Sequence, residues 1–281
     1  MSGKRTQQLA FTILFLGTIL ILVPLGIIVY IVIKNGFSAI SWEFLTTVPR
    51  MGMKEGGIFP AIVGTIYLVL GTIIFALPLG VATAVYLTEY AKDNWLNRVV
   101  RIAIINLAGV PSIVYGLFGL GLFVLFFKLG TSILSGSLTL AIMILPVIIS
   151  ASEEALKTVP ASFREASLAV GATKWQTIWK VVLPQALPGI LTGAILGVSR
   201  AAGETAPILF TVAAFYLPTL PKSVFDQAMV LPYHLYVIAT QIPGIKLDVQ
   251  YGTALVLIML VLGMNLTAII LRARFRKRKK W

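Results

Sequence analysis

The sequence predicts an all-α, polytopic membrane protein with six transmembrane helices and both chain ends in the cytoplasm. Of its 281 residues, 58% are hydrophobic and only 12% are charged, and the mean hydropathy is +0.94. A soluble globular domain is about one-quarter charged, so this chain has too few charges to cover a water-facing surface. The formal net charge of +13 would suggest nucleic-acid binding in a soluble protein. Here the basic residues stand at the ends of apolar stretches, where they set orientation.

Six apolar runs are long enough to cross a bilayer, since a transmembrane helix needs about 20 apolar residues. The predicted spans are residues 9–33, 58–88, 99–127, 133–152, 185–215 and 253–271. The first run is too long for a signal peptide and has no small-residue cleavage site, so we expect it to stay in the membrane. An even number of spans places both termini on one side.

Lysine and arginine are distributed unequally between the two sides. With a cytoplasmic N-terminus, 16 of them fall in inside segments, six fall outside, and Arg200 lies within the fifth span. This asymmetry predicts an N-in, C-in orientation. The tail, residues 272–281, holds seven basic residues, and we expect it to contact anionic lipid rather than nucleic acid.

Residue counts exclude several kinds of functional site. The chain has no cysteine and one histidine, which excludes a disulfide framework, a thiol nucleophile and a multi-histidine metal site. It also lacks the G-x-x-x-x-G-K-[ST] phosphate loop, so it is not itself an ATPase. We expect no catalytic residue, metal or cofactor in this chain. His234 is expected to be a packing residue, Asn265 to hydrogen-bond between helices, and Glu153 and Glu154 to lie on a solvated helix end.

One substantial cytoplasmic loop is predicted, over residues 153–184. Within it, Pro160 suits the first turn of a helix and Gly171 suits a left-handed C-terminal cap. Thr173 followed by Gln176 has the spacing of a capping box. We therefore expect two short helices separated by a glycine break. The loop carries more apolar residues than a solvated segment should expose, so it must enter a groove on this protein or on a partner.

This loop resembles the EAA loop of binding-protein-dependent ABC importers. The residues that carry the resemblance have the family's spacing and are Glu165-Ala166-Ser167, Gly171, Val181 and Leu183-Pro184. Ser167 and Val181 depart mildly from the family pattern. The resemblance implies the type I importer (MetI-like) permease fold, in which this loop is the coupling helix that docks on the ATPase. The residues expected to act in coupling are Glu165, Ala166, Gly171, Trp175, Leu183 and Pro184. A hairpin that lies on lipid is the alternative.

The fifth span contains two charged residues, Arg200 near its middle and Glu204 four residues later. A charge at mid-membrane costs about 2.5–3.5 kcal/mol on insertion scales, although this pair can neutralise itself. On a continuous helix both residues share one sector of about 80° with three glycines at four-residue intervals, which allow close helix packing. These glycines are Gly189, Gly193 and Gly197. The pair is either a structural ion pair or, because a guanidinium binds phosphate-like oxyanions bidentately, an anion site.

The segment from Arg200 to Pro207, Arg-Ala-Ala-Gly-Glu-Thr-Ala-Pro, is similar to the hallmark of the PstA-type permease subunits of phosphate ABC importers. The segments 56–65 and 111–118 also resemble that family. The resemblance implies phosphate transport, and the residues it places in the translocation pathway are Arg200, Glu204, Thr205, Ser112 and Tyr115. It also implies a PstC-type permease as heterodimer partner, two ATPase subunits that bind ATP and Mg, and an extracytoplasmic phosphate-binding protein.

The predicted organisation has three parts. Residues 1–57 form the N-terminal transmembrane helix and an outside loop, residues 58–271 the importer permease core, and residues 272–281 a basic cytoplasmic tail. The outside segment 216–252 contains four prolines, and a short helix is expected around 223–240. The alternatives are a permease for another oxyanion, such as sulfate or molybdate, or an ion-coupled secondary transporter. The latter would not need the coupling loop, and no inverted repeat is evident.

Overall fold

The computed structural model describes the backbone of residues 2–277 and the side chains of residues 7–274. Twelve α-helices run through that part of the chain. They are α1 (Ser2–Gly36), α2 (Trp42–Thr46), α3 (Phe59–Val85), α4 (Trp95–Ala108), α5 (Ser112–Gly119), α6 (Ile133–Lys157), α7 (Ala161–Ala169), α8 (Lys174–Thr177), α9 (Leu183–Gly203), α10 (Ala206–Thr211), α11 (Leu231–Thr240) and α12 (Leu247–Lys277). Two short antiparallel strands, β1 (Pro49–Arg50) and β2 (Glu55–Gly56), pair between α2 and α3.

Three π-helical segments extend or join these helices. They are Tyr86–Tyr90 after α3, Leu120–Phe126 after α5, and Ile178–Val182 between α8 and α9. Such segments are frequent at functional sites because the extra residue shifts the register of the side chains that follow. Two of the three lie beside the cytoplasmic segment for which a coupling role is expected.

Five helical stretches are long and apolar enough to cross a membrane. They are Gln7–Ala39, Phe59–Tyr90, Ile133–Lys157, Lys174–Gly203 and Leu247–Arg274. They correspond to five of the six predicted spans, and the bent pair formed by α4 and the α5 segment supplies the sixth if it is counted as one span.

The third predicted span, residues 99–127, is not a single straight helix. α4 and the segment Ser112–Phe126 differ in direction by 105°. Pro111 has no backbone N–H and disfavours the helical conformation at Val110, so α4 cannot continue through this position. The hydropathy of the run gave no sign of the bend, because hydropathy records composition and not direction.

The fifth predicted span, residues 185–215, is wrong at both ends. Its helix begins at Lys174 and stops at Gly203, and Glu204 is extended, with φ −74° and ψ 135°. The loop predicted over 153–184 is shorter for the same reason, since α6 runs to Lys157 and α8 continues through a π-helical segment into α9. The second expected short helix is therefore the first turn of a membrane-crossing helix.

α6 is the central helix, and both α3 and α9 pack against it. Its largest fully buried side chains include Leu140, Ile144 and Ile148. The approach of α3 depends on Gly80, where an added Cβ would lie 2.6 Å from Cγ2 of Ile148. This three-helix core fixes the position of α9, and the charged pair lies at the end of that helix.

The outer segment between α10 and α12 is largely irregular, and its helix, α11, is shorter than predicted. α11 is fixed to α3 by the backbone N–H of Leu231, which donates to the Thr65 hydroxyl at 2.8 Å. His234 is buried, as expected for a packing residue. Its Nδ1 has no hydrogen-bond partner within the described residues.

The boundary predicted at residue 272 does not mark the end of the last helix. α12 continues to Lys277, and Arg272 donates to the Thr192 hydroxyl of α9 at 3.0 Å. The first part of the predicted basic tail is therefore a helical extension that packs on α9. Residues 278–281 of that tail lie outside the described residues.

Candidate functional site

The candidate translocation site lies where α9 ends. Arg200 stands in the last turn of that helix, and Glu204 is the first residue after it. Arg200 Nε donates to Glu204 Oε1 at 3.4 Å. The expected pair therefore forms across a helix end, and Arg200 is not at the middle of a continuous helix. Its positive charge near the C-terminal carbonyls is favourable, because that end of a helix carries a partial negative charge.

Arg200 is incompletely paired. Its contact with Glu204 is long for a charge-assisted hydrogen bond, which is commonly about 2.7–2.9 Å. The two terminal guanidinium nitrogens have no acceptor among the side chains and backbone of the described residues. The side chains of Arg200 and Glu204 are 35% and 18% exposed. A charged fork with free donors is thus partly accessible at this position.

α5 packs against the segment that follows Glu204. An added Cβ on Gly116 would lie 2.9 Å from Cα of Pro207 and 3.1 Å from the carbonyl oxygen of Ala206. This close approach places Tyr115, the residue before Gly116, near the segment that follows Arg200 and Glu204. Two parts of the predicted translocation pathway, the start of α5 and the end of α9, are therefore neighbours although they are far apart in the sequence.

The hydroxyl groups of Tyr115 and Ser112 differ in their hydrogen bonding. Tyr115 is buried, and its hydroxyl donates to the Leu107 carbonyl at 2.7 Å, which connects α5 to α4 across the bend. Ser112 begins α5 and is half-buried. Its hydroxyl makes no hydrogen bond within the described part of the chain. Thr205, also half-buried, precedes α10 without capping it through its side chain. Among the described residues, the hydroxyls of Ser112 and Thr205 make no hydrogen bond, whereas that of Tyr115 does.

The three glycines at four-residue intervals face α6. An added Cβ would overlap Cβ of Ala155 at Gly189, and would lie 2.6 Å from Cβ of Ala151 at Gly193 and 3.2 Å from Cδ1 of Ile144 at Gly197. The contact is tightest near the cytoplasmic end of α9 and relaxes toward Arg200.

We call α7, α8 and the residues between them the coupling segment. This segment contains both of the local features expected from its sequence. Gly171 has φ +86°, and no atom lies within 4 Å of the position its Cβ would take. Thr173 and Gln176 form the reciprocal capping box at the start of α8. Ser167 of α7 and Thr177 of α8 join their hydroxyls at 2.9 Å. These contacts hold α7 and α8 as one unit around the glycine.

Of the residues expected to act in coupling, Leu183 is half-buried and the others are exposed. Glu165 and Ala166 are exposed on α7. Leu183 and Pro184 begin α9, and the N–H of Leu183 donates to the carbonyl of Ile178, five residues back. Pro184 has no N–H to offer, so normal helical bonding is interrupted at this point.

Trp175 is partly exposed and also lines a groove of this chain. Trp175 and Trp179 have ring centroids 5.4 Å apart and are 59% and 52% exposed. They face α3 across an apolar cavity of about 380 Å³, which is lined by Pro78, Val81 and Val85 of α3 and by Tyr86 of the π-helical segment that follows it. Part of the apolar surface of the coupling segment is therefore turned toward its own membrane helix.

Sequence reasoning missed a second charged pair, Arg164 with Glu89. Arg164 Nη2 lies 2.7 Å from Glu89 Oε1, and the two side chains are only 22% and 8% exposed. The residues are 75 positions apart, so no spacing rule could have paired them. The available signal was an acidic residue at the very end of an apolar span.

Glu153 was also misjudged. It is only 10% exposed and pairs with Arg101, which in addition donates to the Leu87 carbonyl. The expectation of a solvated face is wrong for Glu153, whereas Glu154 is 73% exposed and pairs with Lys157. Asn265 accepts a hydrogen bond from Ser199 at 2.8 Å, which confirms its expected interhelical role.

Comparison with known families decides the class of the chain. The family described as "Binding-protein-dependent transport system inner membrane component" matches residues 76–281. The chain belongs to this family. It is accordingly a multi-pass inner-membrane permease subunit of an ABC transporter, as the coupling-loop resemblance implied. Residues Arg200 and Glu204 and the coupling segment all fall within the matched region.

Similar proteins match this permease over nearly its whole length. The "Probable ABC transporter permease protein YqgI" of Bacillus subtilis is 36% identical, with 95% of each chain covered. The "Phosphate transport system permease protein PstA 1" of Mycobacterium tuberculosis is 35% identical, with 98% of this chain and 90% of the relative covered. A "Probable phosphate transport system permease protein PstA" of Methanocaldococcus jannaschii is 33% identical, with 88% and 86% covered.

Solved structures confirm the fold. A chain of a bacterial alginate ABC transporter in complex with its periplasmic protein superposes with a TM-score of 0.69 at 15% identity, covering 94% of this permease and 93% of that chain. A chain of the MetNI methionine ABC transporter, in inward-facing conformations, has a TM-score of 0.57 at 21% identity, covering 78% and 94%. The predicted type I importer permease fold is therefore correct.

Proposed function

We propose that this chain is the transmembrane permease subunit of an ATP-driven importer of inorganic phosphate. Relatives named as phosphate transport permeases are similar to it over 88% to 98% of its length. Similarity of this extent supports a shared cargo, because it includes the end of α9 as well as the coupling segment.

The structural observation that carries the proposal is the incomplete pairing of Arg200. Its guanidinium is permanently charged, and its free terminal nitrogens form the fork that suits two oxygens of a phosphate. Glu204 holds the group by one long contact at 3.4 Å. Because a carboxylate repels an anion, Glu204 also limits how tightly an oxyanion is held, and a transported ion must be able to leave.

The coupling segment and the candidate anion site lie on one continuous helical stretch. Lys174–Gly203 forms a single membrane-crossing unit, and Arg200 lies about 39 Å along it from Lys174 at a rise of 1.5 Å per residue. A displacement of α7 and α8 by an ATPase subunit would thus be carried along α9 to Arg200. We infer that Glu165, Ala166 and Trp175 take part in this coupling.

The proposed complex contains four further subunits beside this one. They are a homologous PstC-type permease as heterodimer partner, two ATPase subunits that bind ATP and Mg, and an extracytoplasmic phosphate-binding protein. In this scheme residues 58–271 form the importer core, residues 1–57 an added N-terminal helix and outer loop, and residues 272–281 a basic extension. Closure of the ATPase subunits would turn the core from inward-facing to outward-facing.

Uptake of radiolabelled phosphate tests the proposed cargo. Cells that lack other phosphate importers would express the complete complex, with unlabelled arsenate, sulfate or molybdate as competitors. We expect saturable phosphate uptake that arsenate inhibits and the other anions do not. The absence of saturable phosphate uptake, together with saturable uptake of labelled sulfate or molybdate, would reassign the cargo to another oxyanion.

A further inference from the structure

The cytoplasmic end of α3 meets both helices of the coupling segment. α3 passes into the π-helical segment Tyr86–Tyr90, and the last two residues of that segment face in different directions. Glu89 pairs with Arg164 of α7, and the ring of Tyr90 lies beneath the ammonium of Lys174 of α8. We call these four residues the clamp.

Arg164 is the centre of the clamp. Its Nε lies 3.1 and 3.3 Å from the two carboxylate oxygens of Glu89, and its Nη2 lies 2.7 Å from Oε1. The same guanidinium donates to the carbonyls of Val159 at 2.7 Å and Leu156 at 3.0 Å. One side chain therefore joins α7, the end of α3 and the end of α6. A planar fork with five donors can make this arrangement, and a lysine cannot.

The second contact of the clamp holds α8 to the same segment. Lys174 Nζ lies 4.9 Å from the ring centroid of Tyr90, a distance at which a cation is attracted to an aromatic face. Since α7 and α8 are themselves joined through Ser167 and Thr177, the whole coupling segment is attached to α3 at two neighbouring residues.

Apolar packing contributes little to this attachment on the side of α7. None of the residues of α7 is fully buried, and Phe163 is the α7 side chain that packs, half-buried, against the adjoining core. The position of α7 relative to α3 therefore depends mainly on Arg164 and its acceptors. The hydrogen bonds of this poorly exposed ion pair fix the relative position of α7 and α3, whereas apolar contacts would let the two helices slide past each other.

We propose that Arg164 and Glu89 are positioning residues that make α3 move together with the coupling segment, so that motion imposed by an ATPase reaches α3 as well as α9. This inference rests on the proposed coupling role of α7 and α8. The proposal gives α3 a role in transmitting the motion of the ATPase. The residues of the EAA-like pattern do not provide this role, because the backbone joins their segment only to α6 and α9.

The test compares Glu89→Gln with a matched control, Glu153→Gln. Both substitutions remove a poorly exposed glutamate carboxylate that pairs with an arginine, but Glu153 pairs with Arg101 of α4, whereas Glu89 pairs with Arg164 of α7. In the complete complex, we expect Glu89→Gln to retain ATP hydrolysis and to lower the phosphate imported per ATP by about tenfold. Glu153→Gln should leave this ratio within about twofold of wild type.

A distance measurement provides a readout that does not depend on the cargo. The chain has no cysteine, so spin labels can be attached at Ser162→Cys on α7 and Leu79→Cys on α3, both exposed positions. With Glu89 intact, we expect the distance between the labels to be the same with and without a non-hydrolysable ATP analogue. In Glu89→Gln the two distributions should separate, because α7 moves and α3 does not follow.

The outcomes separate the clamp from the proposed function. The proposal is overturned if Glu89→Gln imports a normal amount of phosphate per ATP, or if the label distances in that variant do not change with nucleotide. It is also overturned if both Glu89→Gln and Arg164→Lys fail to assemble, because the pair would then be needed for folding. If the wild-type complex imports no phosphate but the label distances behave as expected, the proposed cargo fails and the clamp stands.

Discussion

Arg200 and Glu204 form a pair that a straight helix would have made tighter. Because α9 stops at Gly203, Glu204 leaves the helical path and reaches only Nε of the guanidinium. The two explanations of the pair, an anion site and a structural ion pair, predict different behaviour when both charges are removed.

Arg200→Gln should abolish phosphate uptake while the complex still assembles, since glutamine keeps hydrogen-bonding capacity but not the charge. The double variant Arg200→Gln, Glu204→Gln relieves the unpaired carboxylate without restoring a cation. We expect it to assemble fully and to remain inactive in uptake. A double variant that transports would show that the pair is structural. Arg272→Gln, which removes another arginine that contacts α9, is the control and should retain uptake.

Gly171 tests the coupling segment at a single backbone position. Its φ of +86° is strained for residues with a side chain, and no neighbouring atom occupies the position of a Cβ. The penalty is therefore conformational, about 1 kcal/mol or more for a β-branched residue. We expect Gly171→Val to reduce phosphate import per complex and Gly171→Asn, which tolerates this conformation, to stay near wild type. Equal import by the two variants would contradict the prediction.

His234 makes the stability of the outer segment dependent on pH. Burial lowers its pKa from 6.5 to about 4. Between these values the unfolded chain binds the proton and the folded chain does not, so stability is lost as the pH falls from about 6.5 toward 4, by up to roughly 3 kcal/mol. In His234→Leu the stability should depend less on pH over this range. Thermal unfolding of the purified complex between pH 7 and 4.5 would measure the difference, and an identical slope in both proteins would rule it out.

At the scale of elements, α6 and α9 approach each other closely because α9 presents glycines, which have no side chain, to α6. An added Cβ at Gly193 would meet Cβ of Ala151 at 2.6 Å, whereas at Gly263 of α12 it would meet nothing within 4 Å. We expect Gly193→Ala to destabilise the protein by about 1–3 kcal/mol, because an alanine cannot move aside as a flexible side chain would. Gly263→Ala is the matched control and should be neutral or slightly stabilising. Equal melting temperatures for the two variants would contradict this account.

The sequence was a good guide to which segments are helical in the membrane and a poor guide to where they bend and stop. Apolar runs located the five long helices because burial in lipid demands such runs. The bend at Pro111 and the helix end at Glu204 were missed, since both lie inside runs that are apolar enough overall to be counted as one span each. Local chemistry did better where it was specific, at Gly171 and at the capping box of Thr173.

The site was predictable only where its residues are close in sequence. Arg200, Glu204 and Thr205 lie within six residues of one motif, and the structure keeps them together. The pairing of Arg164 with Glu89 depends on how α3 and α7 meet, which no local pattern contains. The orientation of Trp175 toward α3 could not be foreseen for the same reason.

At the scale of the molecule, the asymmetry of lysine and arginine fixes an orientation that can be measured. Because the chain has no cysteine, single cysteines report the side on which they lie. Thr219→Cys, in the segment after α10, should react with a membrane-impermeant maleimide in intact cells. Ser162→Cys on α7 should react only after permeabilisation. The reverse pattern would contradict the N-in, C-in orientation.

The first and last long helices of the chain are partners. α1 packs mainly against α12, and the two helices approach closely at Gly36, where an added Cβ would lie 2.5 Å from the carbonyl oxygen of Tyr251. Along most of its length the apolar side chains of α1 remain exposed. During synthesis α1 therefore lacks this partner until α12 has been made. A chain that terminates before α12 would leave α1 exposed to lipid on the side that α12 covers.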